Sequence, residues 1–293
     1  MVRTSGVVLE EVRQFHAQMM AAATGLLDER FERIFELVPR EAFLGPGPWQ
    51  IAVQPWKTSY RRRYIETPSD DPVHVNQNVL VALDRAKGIN NGEPMLHAAF
   101  LGSVNPQGGE VVTHIGAGTG YYTAILSMLT LPNGRVHAFE IDERLFGRAL
   151  ENLIPFEGVS VTHGDATLLA LPPSDLIYVN AGVVAPPAHW LEALRPGGRM
   201  IFPWRPSEDV AFAMLITRGQ TAFSAQPLMP AWFIPCIGAS DPQQGLKVPD
   251  RASAQTIRSV WLTKDRDPDD SAIAIFRDVW FSDQAVTPVA VVG

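Results

Sequence analysis

Residues 111–115, Val-Val-Thr-His-Ile, run directly into Gly116-Ala117-Gly118-Thr119-Gly120, and residues 122–131 then carry the apolar spacing of a helix. A β-rich run that turns through glycines into a helix is the opening unit of a parallel sheet, because parallel strands need helical crossovers. The alternation continues. Residues 136–141, 159–163, 176–179 and 199–203 read as further strands, with helices expected at 145–153 and around 190–194. Residues 210–217 and 222–227, split by Arg218-Gly219-Gln220, predict a hairpin and hence an antiparallel edge. The fold class is therefore α/β, a mostly parallel sheet flanked by helices.

Apolar residues at helical spacing over 10–37, interrupted near Gly25, predict two helices ahead of this core. Residues 39–72 are too rich in Pro, Gly and aromatic residues for long elements, and 45–56 and 90–94 are placed to act as lids. Beyond Gly238 the sequence predicts a polar loop, a helix over 252–262, an acidic turn over 265–270 and an amphipathic stretch over 272–281. These textures divide the chain into a helical and irregular lid and substrate segment (1–95), a ligand-binding core (96–237) and an extension packed on that core (238–293).

With 293 residues, one core with terminal additions is the natural expectation. Lys and Arg number 24 against 31 Asp and Glu, a formal charge of −7, which argues against a surface built to neutralise nucleic-acid phosphates. Arg61-Arg62-Arg63 is a local exception, either a solvated charge run or an attractor for an anionic group. The single cysteine, Cys236, excludes an intramolecular disulfide and sits among Phe233, Ile234 and Ile237, as a buried thiol would. No run approaches the ~20 apolar residues of a membrane span, and no signal-peptide core stands at the N-terminus, so a cytoplasmic location is expected.

Open parallel sheets bind ligands beyond the carboxyl ends of their strands. Glycines at 116, 118 and 120 let the main chain approach a ligand closely, and the free N–H groups of the following helix face it. A dinucleotide fingerprint, G-x-G-x-x-G, requires glycine or alanine at position 121, where Tyr121 stands. Glu140, followed by Ile141, closes the second strand with a carboxylate able to accept both hydroxyls of a ribose. Gly164-Asp165-Ala166 follows the third strand and offers a carboxylate to the exocyclic amine of adenine. Together these features choose a methyl donor over a dinucleotide. Read as structure alone, the glycines are turn residues and the acids helix caps.

The same residues resemble the class I methyltransferases, and more narrowly the protein-L-isoaspartate O-methyltransferase family, over about residues 38–203. Val38-Pro39-Arg40-Glu41-Ala42-Phe43 is similar to that family's N-terminal signature, 113–121 to its glycine loop and Gly164-Asp165 to its adenine contact. The resemblance implies a Rossmann-like sheet of seven strands and S-adenosyl-L-methionine as cofactor. It implies that His114, Gly116, Ala117, Gly118, Thr119, Gly120, Tyr121, Glu140, Ile141, Gly164, Asp165, Ala166, Asn180 and Pro94 hold that cofactor. The implied acceptor is an isoaspartyl or modified aspartyl carboxylate of a peptide or protein.

This chain departs from the family pattern at two places. The family's serine beside the acceptor carboxyl and the transferred methyl falls in register on Gly92, although Pro94 matches. Asn90 or Asn91 either supplies a replacement donor or holds a turn. His114 stands where the family has an acidic residue that helps hold the cofactor's ammonium group, and it is either a neutral contributor there or a core histidine. Asn180-Ala181-Gly182 lacks the Asn/Asp-Pro-Pro-aromatic motif of the DNA amine methyltransferases.

A carboxylate acceptor, with an ordinary pKa near ~4, is a nucleophile at neutral pH without a base. Asn90, Asn91 and Gly92 are then expected to position it rather than activate it. A hydroxyl or amine on a small molecule is the alternative acceptor, with His97 or Glu93 as base. A catalytically silent cofactor-binding module is the reading from another class. The histidines show no metal-ligand spacing, so no metal is expected.

Overall fold

In the computed structural model, which describes residues 6–53 and 63–286, the chain opens with helices α1 (Gly6–Ala23) and α2 (Glu29–Leu37). Four short strands follow, β1 (Gln50–Val53), β2 (Arg63–Glu66), β3 (Leu80–Asp84) and β4 (Ile89–Asn90), then α3 (Pro94–Val104). The expected alternation comes next: β5 (Val111–Ile115), α4 (Tyr121–Leu129), β6 (Arg135–Glu140), α5 (Glu143–Asn152), β7 (Val159–His163), β8 (Ser174–Val179), α6 (Ala188–Ala193) and β9 (Leu194–Trp204). The remaining elements are β10 (Phe212–Arg218), β11 (Phe223–Pro230), β12 (Gly245–Lys247), α7 (Arg251–Ala254), β13 (Ser259–Leu262), β14 (Ala272–Phe276) and β15 (Val279–Ser282). Arg61 and Arg62 of the basic run, and residues 54–56 of one lid candidate, lie outside the described residues.

The chain divides into two compact units, one of residues 1–109 and 117–163, the other of 110–116 and 164–293. In the first, β2, β1, β3 and β4 form an antiparallel sheet in that order, and β6 runs parallel to β7. Asp28 caps α2 by accepting the Arg30 N–H at 3.0 Å, and Phe31, Ile34 and Phe35 put that helix's apolar face in the core. Asp142 caps α5 in the same way through the Leu145 N–H, also at 3.0 Å. Pro94 opens α3 where its missing N–H costs nothing, and the helix is buried on nearly every side.

In the second unit the strands lie in the order β12-β14-β15-β13-β11-β10-β9-β8-β5. β5, β8 and β9 are parallel, and the neighbours from β9 to β12 are antiparallel. β5 and β8 are buried along almost their whole length, which is why both read as continuous apolar runs rather than alternating ones. The antiparallel part extends well past the expected hairpin of β10 and β11. Where a helix was expected over 252–262, only the turn α7, capped by Asp250 on the Ser253 N–H at 2.7 Å, is helical. Ser259–Leu262 is the strand β13, paired with β11 on one edge and β15 on the other. The amphipathic stretch over 272–281 is divided between β14 and β15, whose Phe281 packs against Trp204 with ring centroids 4.9 Å apart.

His16 of α1 is buried, and neither ring nitrogen has a hydrogen-bond partner among the described residues. Burial, reinforced by the nearby Arg40 charge, lowers its pKa to about 4. The unfolded chain binds this proton near pH ~6.5, whereas the folded chain does not until about pH 4. Stability therefore falls as pH drops through that window, by about 3 kcal/mol at its lower end from this group. Melting curves between pH 7.5 and 4 should show a shallower decline for His16→Leu than for the wild-type chain; parallel declines would refute the assignment.

Candidate functional site

The glycine loop joins β5 to α4, and Gly116, Gly118 and Gly120 take φ of 79°, 60° and 95°, a region glycine enters without strain. Within the first unit, the Ala117 N–H donates to the Phe139 carbonyl at 3.1 Å and the Gly120 N–H to the Ala117 carbonyl at 2.9 Å. Glu140, the last residue of β6, is only 6 % exposed. Its Oε2 accepts the Gly118 N–H at 2.6 Å and its Oε1 the Asp142 N–H at 2.9 Å. Burial raises its pKa above the usual carboxylate range, and these N–H donors oppose that rise. A carboxylate has about four acceptor directions, so these two hydrogen bonds do not exhaust it. Thr119 and Tyr121 are buried, and neither hydroxyl has a partner among the described residues. The Tyr121 ring packs edge-on against Phe43 at 5.5 Å, while Ile141 is exposed.

The segment expected to meet the acceptor is pinned from below. Asn90 uses both ends of its amide, accepting from the Tyr64 hydroxyl at 3.1 Å and donating to the Gly88 carbonyl at 2.8 Å. Asn91 donates its N–H to the Val81 carbonyl at 2.8 Å, and its Oδ1 accepts from Arg40 Nε at 3.2 Å. Arg40 also reaches the carbonyls of Gly92 (3.1 Å), Val75 (2.8 Å), Gln77 (3.2 Å) and Val79 (2.7 Å). All five N–H groups of a guanidinium that is 1 % exposed therefore have an oxygen acceptor, every one a carbonyl. The two residues considered as bases are also engaged. Glu93 accepts from Asn78 at 2.8 Å, and the buried His97 ring stacks on Tyr122 with centroids 3.7 Å apart.

In the second unit, His114 is fully buried and its Nε2 lies 2.8 Å from Asn180 Nδ2. Burial lowers its pKa to about 3, so the ring is neutral at physiological pH. The Asn180 N–H donates to the Ile115 carbonyl at 2.8 Å, and Asn180 Oδ1 is buried with no partner among the described residues. Asp165 Oδ1 accepts both the Thr167 N–H (2.8 Å) and the Thr167 hydroxyl (2.7 Å), which shapes the turn after Gly164. Trp190 Nε1 fixes the Ala166 carbonyl at 2.9 Å. Burial and the Asp165 charge push the Cys236 thiol up to about 12, so this cysteine is no nucleophile. Among the described residues no group of three or more His, Cys, Asp or Glu is arranged to hold a metal ion, and no helix is long and apolar enough to cross a membrane.

The sequence profile described as protein-L-isoaspartate(D-aspartate) O-methyltransferase matches residues 50–241, well over half of the chain. The chain belongs to this family. A protein-L-isoaspartate O-methyltransferase from Syntrophotalea carbinolica is 31 % identical over 230 residues, covering 77 % of this chain and 93 % of that protein. A solved protein-L-isoaspartate O-methyltransferase structure superposes with a TM-score of 0.63 at 19 % identity, covering 91 % of this chain and 86 % of its own. A Plasmodium falciparum structure described as the same enzyme, in complex with S-adenosyl-L-homocysteine, gives 0.60 at 16 % identity over 76 % and 97 %. These structures share the fold.

Within this isoaspartyl methyltransferase family frame, the antiparallel strands β12 to β15 fall outside the matched residues. So does Arg40. Residues 38–43 stand out in the sequence for their likeness to the family, with no task apparent for Arg40. A lone arginine beside Pro39 does not announce that five carbonyls from Val75 to Gly92 converge on it. Tyr122, the stacking partner of His97, was equally hidden in a run that reads only as helix.

Proposed function

We propose that this chain is an S-adenosyl-L-methionine-dependent O-methyltransferase whose acceptor is the side-chain carboxylate of an isoaspartyl, or modified aspartyl, residue in a peptide or protein. The observation that carries most weight is Glu140, a buried carboxylate that organises the glycine loop through Gly118 while keeping acceptor directions for a ribose diol. In the second unit, the residues that the family resemblance assigns to that cofactor carry suitable chemistry of their own. Asp165 has the carboxylate chemistry to accept the adenine amine, and Asn180 Oδ1, which has no partner among the described residues, has that to accept the ammonium. The missing acid at position 114 is thereby answered by a neutral histidine and an amide. When bound, the cofactor supplies a methyl group on a sulfonium, ready for transfer to a nucleophile.

The chain's own contribution is then alignment. An acceptor carboxylate is ionised at neutral pH, so no side chain has to remove a proton from it. Arg40 immobilises Asn91 and Gly92 from below, and Glu140 immobilises Gly118, so each group presents fixed main-chain geometry. The composition and the lone cysteine go with a cytoplasmic enzyme.

Titrating the protein with S-adenosyl-L-homocysteine in a calorimeter tests the cofactor half of this reading. Saturable binding at one site per chain is expected, and no heat at any accessible concentration would refute it. Asp165→Ala should weaken that binding by about tenfold, the size of one hydrogen bond to a charged group.

A further inference from the structure

We propose that His97 is the positioning residue of the acceptor end: its imidazole fills the space a side chain at position 92 would need, and so fixes the main chain of Asn91-Gly92-Glu93. The proposal rests on the assignment of residues 90–94 to the acceptor side.

Gly92 has a φ of 78°, already strained for any residue with a β-carbon. A β-carbon there would stand 2.4 Å from His97 Nε2, 2.7 Å from His97 Cδ2 and 3.1 Å from Tyr122 Cε2, whereas real β-carbons essentially never come within 3.0 Å of such atoms. Both sides are held in place by other contacts. The His97 ring lies flat against Tyr122 at an interplanar angle of 16°, on a helix whose first turn is tied by the His97 N–H to the Glu93 carbonyl at 3.1 Å. The Gly92 carbonyl is held by Arg40, and the preceding Asn91 by both Arg40 and Val81. A glycine at 92 and an imidazole at 97 are thus one unit: the ring takes the place of the side chain and closes the pocket that a hydroxyl-bearing residue would otherwise occupy. An acceptor carboxylate brought to this spot meets a main chain that Arg40 and Val81 hold by hydrogen bonds and the His97 ring confines by contact.

The test uses Gly92→Ser, His97→Ala and the double variant in the full chain, with three readouts: melting temperature, calorimetric affinity for S-adenosyl-L-homocysteine, and kcat and KM for methylation of an isoaspartyl peptide. Gly92→Ser alone should melt lower. The double variant should regain much of that loss, because removing the ring makes room for the serine, so the two changes are strongly non-additive. His97→Ala alone should lower kcat by about tenfold to a hundredfold, the cost of a misplaced reacting group, with cofactor affinity unchanged within about twofold. The double variant should recover part of that kcat. Additive melting temperatures, a Gly92→Ser chain as stable as the wild type, or a His97→Ala chain with wild-type kcat would each overturn the proposal. If the wild-type chain leaves the isoaspartyl peptide unmethylated, the acceptor assignment fails, and the melting temperatures still decide whether His97 and Gly92 are coupled.

Discussion

Arg40→Met should destabilise the first unit by about 3 kcal/mol or more and abolish methyl transfer. The substitution keeps most of the side chain's bulk but leaves five carbonyl oxygens, contributed by Val75, Gln77, Val79, Asn91 and Gly92, without their donor. A buried polar group left unpaired costs about 1–3 kcal/mol, and entering water can recover only part of that across five sites. Arg40→Lys should be only a partial remedy, since an ammonium has three N–H donors and no planar fork. Urea unfolding of the two variants gives the numbers directly. A loss below about 1 kcal/mol for Arg40→Met would show that the carbonyls find other partners and that Arg40 is not what holds Asn91 and Gly92.

Glu140→Ala is the second large effect. It removes the acceptor for the Gly118 and Asp142 N–H groups together with the acceptor proposed for the ribose hydroxyls. Hydrogen bonds to a charged group contribute about 1.5–3 kcal/mol each, so cofactor affinity should fall by about a hundredfold or more. Glu140→Gln, with one acceptor oxygen left, should fall between. Because burial raises the Glu140 pKa, the wild-type affinity should begin to weaken at a pH above the usual carboxylate range as the acid takes up its proton. Calorimetric titrations at several pH values measure both effects. An unchanged affinity in Glu140→Ala would remove the ribose assignment.

The parallel part of the fold was legible because its strands are short β-rich runs that alternate with helical ones. Residues 111–115 and 159–163 were read with the bounds that β5 and β7 have. The antiparallel extension was not, for a definable reason. Ser259-Val260-Trp261-Leu262 is buried on both faces, so it shows no two-residue alternation, and joined to the helical turn at Arg251–Ala254 it mimics one longer helix. Only its pairing with β11 and β15 reveals the strand.

The candidate site divides in the same way. The strand-end positions of Glu140, Asp165 and the glycine loop, on which their proposed tasks depend, are legible because sequence spacing reports them. The roles of Arg40 and His97 depend on where distant or turn-separated atoms meet. Gly92 showed in sequence only as a missing serine; the structure adds that His97, five residues on, occupies the space that serine would need.

Carboxyl methylation is decided by incubating the wild-type chain with methyl-labelled S-adenosyl-L-methionine and a matched pair of peptides differing only in isoaspartyl against normal aspartyl linkage. Label on the isoaspartyl peptide alone, released by mild base as a carboxyl ester must be, is the result expected here. No label on either peptide, or label that survives base, would contradict it.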